Sequence, residues 1–263
     1  SKKDAIKLLA NQSVRRSSDD DLRTQQITNG RRGEEEQLRS IELRYERQHS
    51  QALRTGVSIF FQNAEVVDFS QQASSTSRLG DYDTAGLELE ASYRSGSTRL
   101  SASHAFTKML DFRLASATTR QGYSAEPYGY GDDLASWSNH VSKLALAHDF
   151  LPKWTGSASL RIYWGSPGGK DLVQYHNDVL ADTGSRSGFL SLSDPGYEAA
   201  FEPNYYLNLG LEYRPTPRVT ARLDAYNVLG WIDKDLNKRN FLVRSGDYRS
   251  EAAALGVTLR YRF

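Results

Sequence analysis

The sequence predicts an all-β protein, a transmembrane antiparallel β-barrel, and three observations lead to this prediction. Apolar and polar residues alternate in about nine segments, which is the two-residue period of a β-strand. Aromatic residues stand at the ends of several segments, as anchoring at membrane interfaces favours. The connections alternate between short and long along the chain, which is typical of outer-membrane barrels.

The predicted strands follow one another without helical interruption. Trp154–Trp164 and Tyr205–Tyr213 show the aromatic ends most clearly, because each run is bracketed by Trp or Tyr. The other predicted strands lie within Ile41–Glu46, Val57–Phe61, Leu87–Tyr93, Arg99–Phe106, Lys143–Leu146, Val219–Ala225 and Leu255–Phe263.

The connections between these strands sort by length. Short turns are predicted at Gln48–Ala52, Ser95–Ser97, Leu151–Lys153 and Pro215–Pro217. Long loops are predicted at Glu65–Tyr82, Asp111–Ser138, Ser166–Glu202 and Gly230–Ala252. Short periplasmic turns and longer extracellular loops would place the C-terminus at the periplasmic rim.

The C-terminal segment Leu255–Phe263 shows the alternation most strictly. Its odd-numbered residues are apolar or aromatic, whereas Arg260 and Arg262 would occupy the opposite face. A packed core makes such charges costly, but a wet lumen accepts them while lipid covers the apolar face. We therefore expect a lumen-facing set of charged residues on the last three strands: Glu212, Arg214, Arg222, Asp224, Arg260 and Arg262.

The N-terminal residues 1–36 are predicted to be an extracellular loop segment, and residues 37–263 the barrel. Within the first part, Asp4–Ala10 is predicted to form a short helix and Ser13–Glu36 a charged loop. Bacterial single-chain barrels close with even strand numbers, whereas about nine strands leave two unpaired edges. We therefore expect the chain to be the C-terminal part of a larger barrel.

The composition excludes several classes of protein. A net charge of +1 argues against nucleic-acid binding, and the absence of Cys excludes disulfides and thiolate metal sites. The sequence has no nucleophile elbow, phosphate-binding glycine loop or zinc signature. We therefore expect neither catalysis nor a cofactor.

Several segments resemble, in order and spacing, the C-terminal half of a TonB-dependent outer-membrane receptor. Glu34–Glu46 is similar to the acidic lead-in and first strand of that half, and Ala85–Tyr93 to its most recognisable internal strand. The remaining similar segments are Arg99–Phe106, Asn139–Leu144, Tyr205–Tyr213 and Ala225–Leu229.

The resemblance implies import of a scarce nutrient, such as a ferric siderophore or another metal chelate, across the bacterial outer membrane. The predicted strands would be the last nine of about 22. The plug domain and the TonB-contact segment have no counterpart here, so the expected partners are the receptor's N-terminal half and, through its plug, the TonB complex. Outer-membrane lipid, the assembly machinery and a surface or envelope protein are further expected partners. Tyr261 and Phe263 would form the assembly signal.

The loop Asp111–Ser138 supplies the candidate ligand-binding residues. Aromatic rings beside a cation can hold a flat anionic chelate by stacking and charge-assisted hydrogen bonds, although packing within the loop is the simpler interpretation. The candidates are Arg120, Tyr123, Tyr128, Tyr130 and Trp137. In the loop Ser166–Glu202, Asp171, His176 and Asp178 have no diagnostic ligand spacing, so no metal site is predicted.

Two alternatives remain open at this point. One is a complete small outer-membrane barrel of the protease or lipase type, with a His and a carboxylate near the loop rim. His140 with Asp132 or Asp133, or His176 with Asp178, would supply that pair. The other alternative is a passive channel or sheath barrel, which has no plug.

Overall fold

The computed structural model describes residues 3–16, 23, 27, 35–70, 75–114, 138–165, 203–233, 236 and 252–263. These residues form one antiparallel sheet of ten strands, and the order of the strands in space is their order in the sequence. The strands are β1 (Asp4–Arg16), β2 (Glu35–Gln48), β3 (Leu53–Ser70), β4 (Ser75–Ser95), β5 (Thr98–Leu114), β6 (His140–Leu151), β7 (Trp154–Trp164), β8 (Asn204–Thr216), β9 (Val219–Tyr226) and β10 (Ala254–Tyr261).

The predicted helix at Asp4–Ala10 is wrong, because these residues begin strand β1. β1 pairs with β2 along its whole length, from Asp4 opposite Arg47 to Arg16 opposite Glu35. Ile6 and Leu8 thereby lie opposite apolar residues of β2. The tertiary pairing overrides the local helical pattern, and the described chain contains ten strands rather than about nine.

The predicted long loop Glu65–Tyr82 is also wrong, because most of it is paired strand. β3 continues to Ser70 and β4 begins at Ser75, with a register shift between Val66 and Val67. β4 therefore has 21 residues, which at the usual rise span roughly 70 Å. Since about ten residues cross a membrane, the hairpin extends far past the level at which the shorter strands end.

The four predicted short connections are confirmed at residues 49–52, 96–97, 152–153 and 217–218. Gly96 has φ +54°, a left-handed conformation that glycine adopts at a tight turn without steric cost. At the opposite end of the sheet, β9 leads into the four-residue helix α1 (Leu229–Ile232). No helix among the described residues is long and apolar enough to span a membrane.

The two faces of the sheet have opposite character. On one face, which we call the apolar face, large hydrophobic side chains are exposed; Tyr45, Val57 and Leu89 form one such row across β2, β3 and β4. The other, the charged face, carries Arg44, Ser58 and Glu88 in the adjacent row. Among the described residues only Ala64, Met109 and Tyr206 are buried apolar residues. The burial pattern is thus the reverse of that of a water-soluble sheet.

Candidate functional site: the charged face

Arg44 is the centre of an ion-pair cluster at mid-height on the charged face. Its Nε lies 2.7 Å from Glu46 Oε1, and its guanidinium also pairs with Glu90, two strands away. Nη1 donates a hydrogen bond to Ser58 Oγ at 3.2 Å, and Lys7 Nζ approaches Glu46 at 3.1 Å. The cluster therefore ties β1, β2, β3 and β4 together through side chains.

Gly56 makes this arrangement sterically possible. It lies on β3 between Glu46 and Glu90 in the register. A Cβ at this position would come within 3.2 Å of Arg44 Nη2 and 3.7 Å of Glu90 Oε2. Glycine thus leaves room for the guanidinium to cross the strand.

A second network lies on the charged face near the short turns. Arg99 Nη2 approaches Asp149 Oδ1 at 3.2 Å, and Thr155 Oγ1 donates a hydrogen bond to the same oxygen at 2.6 Å. Arg214 Nη2 donates to Thr155 Oγ1 at 2.9 Å, while Arg214 Nε lies 2.7 Å from Glu212 Oε1. The chain of contacts crosses four strands, β5 to β8.

The same network continues on β9. Arg222 lies 3.8 Å from Glu212 and 2.8 Å from Asp224, whose side chain is buried. The four charged residues predicted on β8 and β9 therefore do meet on one face, as a ladder of opposite charges. Arg260 lies opposite Thr220 on the same face, and Arg262 follows the last strand residue.

A cavity of about 830 Å³ opens on the charged face beside this network. Its floor consists of small side chains such as Ser101, Ala147 and Ser157. Arg54, Arg94 and Arg99 stand along one side, and Arg222 and Asp224 along the other. The sequence analysis did not identify Arg54 and Arg94, because their proximity depends on the register of β3, β4 and β5.

A third charged cluster lies on the extension of the apolar face, beyond its last apolar residues. Arg113 on β5 pairs with Asp81, Asp83 and Asp111. Asp83 lies directly opposite Asp111, and Asn63 donates a hydrogen bond to Asp83 at 2.7 Å. Arg113 pairs with all three carboxylates, and Arg78 Nη2 also lies 3.1 Å from Asp81 Oδ2, so two guanidinium groups offset the carboxylates of the long β3–β4–β5 extension.

Aromatic and histidine rings mark the level at which the apolar face ends. His140 stacks on Trp164 with ring centroids 3.9 Å apart, and its Nδ1 lies 3.3 Å from His104 Nε2. Trp164 Nε1 donates to Ser142 Oγ at 3.1 Å. These contacts give His140 an anchoring role, which does not favour the enzyme alternative in which His140 and a nearby carboxylate would form the site.

The other predicted site residues lie outside the described residues. These are the ligand-binding candidates Arg120, Tyr123, Tyr128, Tyr130 and Trp137, and the weighed residues Asp132, Asp133, Asp171, His176 and Asp178. Within the described part of the chain, no group of three or more His, Asp or Glu residues could hold a metal ion.

A ten-stranded antiparallel sheet with exposed apolar side chains on one face and ion-paired charges on the other is the wall of a transmembrane β-barrel. The family model described as TonB dependent receptor-like, beta-barrel matches residues 10–228. The chain therefore belongs to the TonB-dependent receptor β-barrel family, as the resemblance implied. This is a family of receptors and transporters and not of enzymes.

Solved structures of similar fold include three iron receptors. A mutant of the ferric enterobactin receptor PfeA from Pseudomonas aeruginosa matches with TM-score 0.57 and 13% identity over 87% of this chain and 33% of its own. The ferripyoverdine receptor of the same organism matches with TM-score 0.51 and 12% identity, over 87% of this chain and 27% of the receptor chain. The ferric-catecholate import receptor Fiu from E. coli matches with TM-score 0.50 and 13% identity, over 87% of this chain and 29% of the receptor chain.

At such identities the likeness shows the fold alone, and the chain spans at most about a third of the length of these receptors. No curated protein matches the sequence.

Proposed function

We propose that this chain forms the C-terminal part of the barrel wall of an outer-membrane receptor that imports a metal chelate in a TonB-dependent manner. The observation that carries the proposal is the inverted burial pattern of a chain that belongs to this family: Val257 is 82% exposed, whereas Ser58 on the charged face is 1% exposed. Lipid would cover the apolar face, and the charged face would line the lumen.

In this orientation the short turns and the C-terminus lie in the periplasm, and the long connections lie outside the cell. The described edges β1 and β10 are the two ends of the strand order. Unpaired strand edges favour pairing with further strands, so the remaining strands of the receptor would pair with β1 and β10 and close the barrel. The plug would then lie in the lumen of the barrel, and the TonB complex would contact the plug from the periplasm. Tyr261 and Phe263, whose rings make an edge-to-face contact at 5.1 Å, would form the signal read by the assembly machinery.

The nature of the cargo is supported by the structures of similar fold. They include receptors for ferric enterobactin and ferripyoverdine, and the copper transporter OprC. A further one is a receptor in complex with a pyocin, which supports a surface protein as an additional partner. We therefore propose a metal chelate as the cargo, held by the loop residues Arg120, Tyr123, Tyr128, Tyr130 and Trp137.

The test is energised uptake by cells that lack their own iron and copper receptors and express the intact protein containing this chain. Radiolabelled ferric enterobactin, ferripyoverdine and copper would be supplied in turn, in strains with and without TonB. We expect saturable uptake of at least one cargo, and its loss without TonB. Equal uptake in both strains would support the passive channel instead, and no uptake of any metal chelate would defeat the proposal.

A further inference from the structure

Three arginines lie together on the charged face at the short-turn end of the sheet. Arg94 on β4 and Arg99 on β5 lie directly opposite each other in the register. Arg54 on β3 lies opposite Ser92, which is two residues from Arg94 and on the same face. Like charges directly opposite each other destabilise a sheet. These three residues, which we call the rim arginines, therefore lower stability unless negative charges offset them.

The described sheet offsets only one of the three charges. Arg99 Nη2 lies 3.2 Å from Asp149 Oδ1, and Thr155 also donates a hydrogen bond to that oxygen. Neither Arg54 nor Arg94 has a carboxylate partner among the residues that the structure describes, and both are exposed. Two guanidinium groups at this end of the sheet thus keep their donors available for a partner.

Unpaired positive charge continues along the same end of the sheet. Arg260 lies on the charged face of β10, and Arg262 follows the last residue of that strand. Both are exposed and have no carboxylate partner within the described ranges of the chain. By contrast, Arg44 at mid-height pairs with both Glu46 and Glu90. The wall therefore presents a positive rim at its short-turn end.

The wall around the rim arginines is lined by small side chains. Ser92, Ser101 and Ala147 line the same concave surface as Arg94 and Arg99. Because these side chains are short, a protein segment in the lumen can come close to the guanidinium groups. The two oxygens of an Asp or Glu carboxylate match the planar fork of a guanidinium. A lipid phosphate fits less well, since the exposed apolar side chains lie on the opposite face of the same strands.

We propose that the rim arginines bind Asp or Glu side chains at the periplasmic end of the plug. This inference rests on the proposed function, which places a plug in the lumen, and it adds the residues of the wall and the charge of the plug surface that meets them. The chain spans 33% of the PfeA receptor chain, which leaves room for a plug elsewhere in the intact protein. Exposed ion pairs are individually weak and screened by salt, so this attachment is reversible.

The first test is zero-length crosslinking in outer-membrane vesicles that contain the intact receptor with Arg94→Lys. A carbodiimide condenses a lysine amine with a carboxylate in contact and leaves arginine unmodified, so the variant adds one reactive amine at the rim. The matched control is Arg39→Lys, at an exposed position of β2 on the apolar face. We expect mass spectrometry to find position 94 joined to an Asp or Glu of the plug at least about fivefold more often than position 39, which faces lipid.

The second test measures how firmly the plug is held. The double variant Arg54→Gln, Arg94→Gln should fold like the wild type, because it removes a like-charge pair, and migration on unboiled gels checks this. Loss of two exposed ion pairs should speed proteolysis of the plug roughly three- to tenfold at low salt. The difference should disappear in about 1 M salt, where such pairs are screened. Arg39→Gln should leave the rate unchanged.

Three results would overturn the proposal. One is a position 94 that is joined to no carboxylate, or only to one of this chain such as Asp149. Another is a link from position 94 to a separate protein alone, which would assign the rim to a periplasmic partner. The third is an equal rate of plug proteolysis in the wild type and the double variant at low salt.

The proposed function stands or fails separately from this docking surface. A link between position 94 and the plug, without energised uptake of any metal chelate, would keep the docking surface and defeat the transport proposal. Energised uptake by a receptor in which position 94 has no link to the plug would keep transport and overturn the docking surface.

Discussion

Loss of the Arg44 side chain is expected to weaken the sheet more than loss of any exposed cation. Arg44→Gln removes the contacts to Glu46 and Glu90 while leaving both carboxylates in place. The Arg44 side chain is 17% exposed and that of Glu90 43% exposed, so the pairs are neither buried nor fully solvated. Removing one partner costs up to about 1 kcal/mol at an exposed pair and about 3–5 kcal/mol at a buried one. We therefore expect a loss of about 2 kcal/mol.

The assay is urea unfolding of the intact protein in detergent, read by migration on unboiled gels and by tryptophan fluorescence. Arg39→Gln is the control, because it removes an exposed arginine with no carboxylate contact in the described chain; its free energy of unfolding should change by less than about 0.5 kcal/mol. A double-mutant cycle with Glu90→Gln should give a coupling energy of about 1 kcal/mol.

The reasoning would be refuted if Arg44→Gln and Arg39→Gln had the same free energy of unfolding. It would also be refuted if the effects of Arg44→Gln and Glu90→Gln were additive, since the contact between them would then contribute nothing to stability.

Three further predictions concern separate features of the sheet. Gly86→Ala should lower stability by about 1–3 kcal/mol in urea unfolding, because its Cβ would overlap the backbone oxygen of Phe106 and the ring of Phe60; Gly156→Ala, with ordinary contacts at 3.5 Å, is the control, and equal effects would contradict the argument. Arg113→Gln should speed proteolysis of the long extension several-fold, because Asp83 and Asp111 lose their cation and only Asp81 keeps one, Arg78; Lys108→Gln should not have this effect. Deletion of Phe263 should reduce the amount of folded protein in the membrane, measured by unboiled gels; levels equal to those of Arg262→Gln would argue against an assembly signal.

The sequence predicts the strands whose alternation is strict, together with the face that each residue occupies. Arg222 and Asp224 are two residues apart on one strand, so a shared face follows from the period alone. β1 was missed because Leu8, Leu9 and Ala10 interrupt its alternation, and only pairing with β2 settles the conformation. The extension of β3 and β4 was missed because the register shift between Val66 and Val67 breaks the two-residue period and because Ser75–Arg78 on β4 are all polar.

Contacts between strands were beyond prediction for a different reason. Arg44 and Glu90 are 46 residues apart, and they meet only because the register places Gly56 between Glu46 and Glu90. A shift of one residue would move every side chain of the strand to the other face. The sequence pattern fixes the alternation but not the register, so it identifies the faces and leaves the pairs undetermined.

The charges on the charged face divide into a part that the sheet neutralises and a part that it does not. Glu42 and Glu88 at mid-height have no cation partner among the described residues. Their negative charges would offset the positive charges of Arg54 and Arg94 only if the groups lay close together. Glu88 and Arg94, however, are six residues apart on one strand, or roughly 20 Å. That separation exceeds the screening length of about 8–10 Å at physiological salt, so the two groups interact little through water. Arg54 and Arg94 at the rim are therefore exposed to solvent and are not offset by any carboxylate on this face of the described sheet.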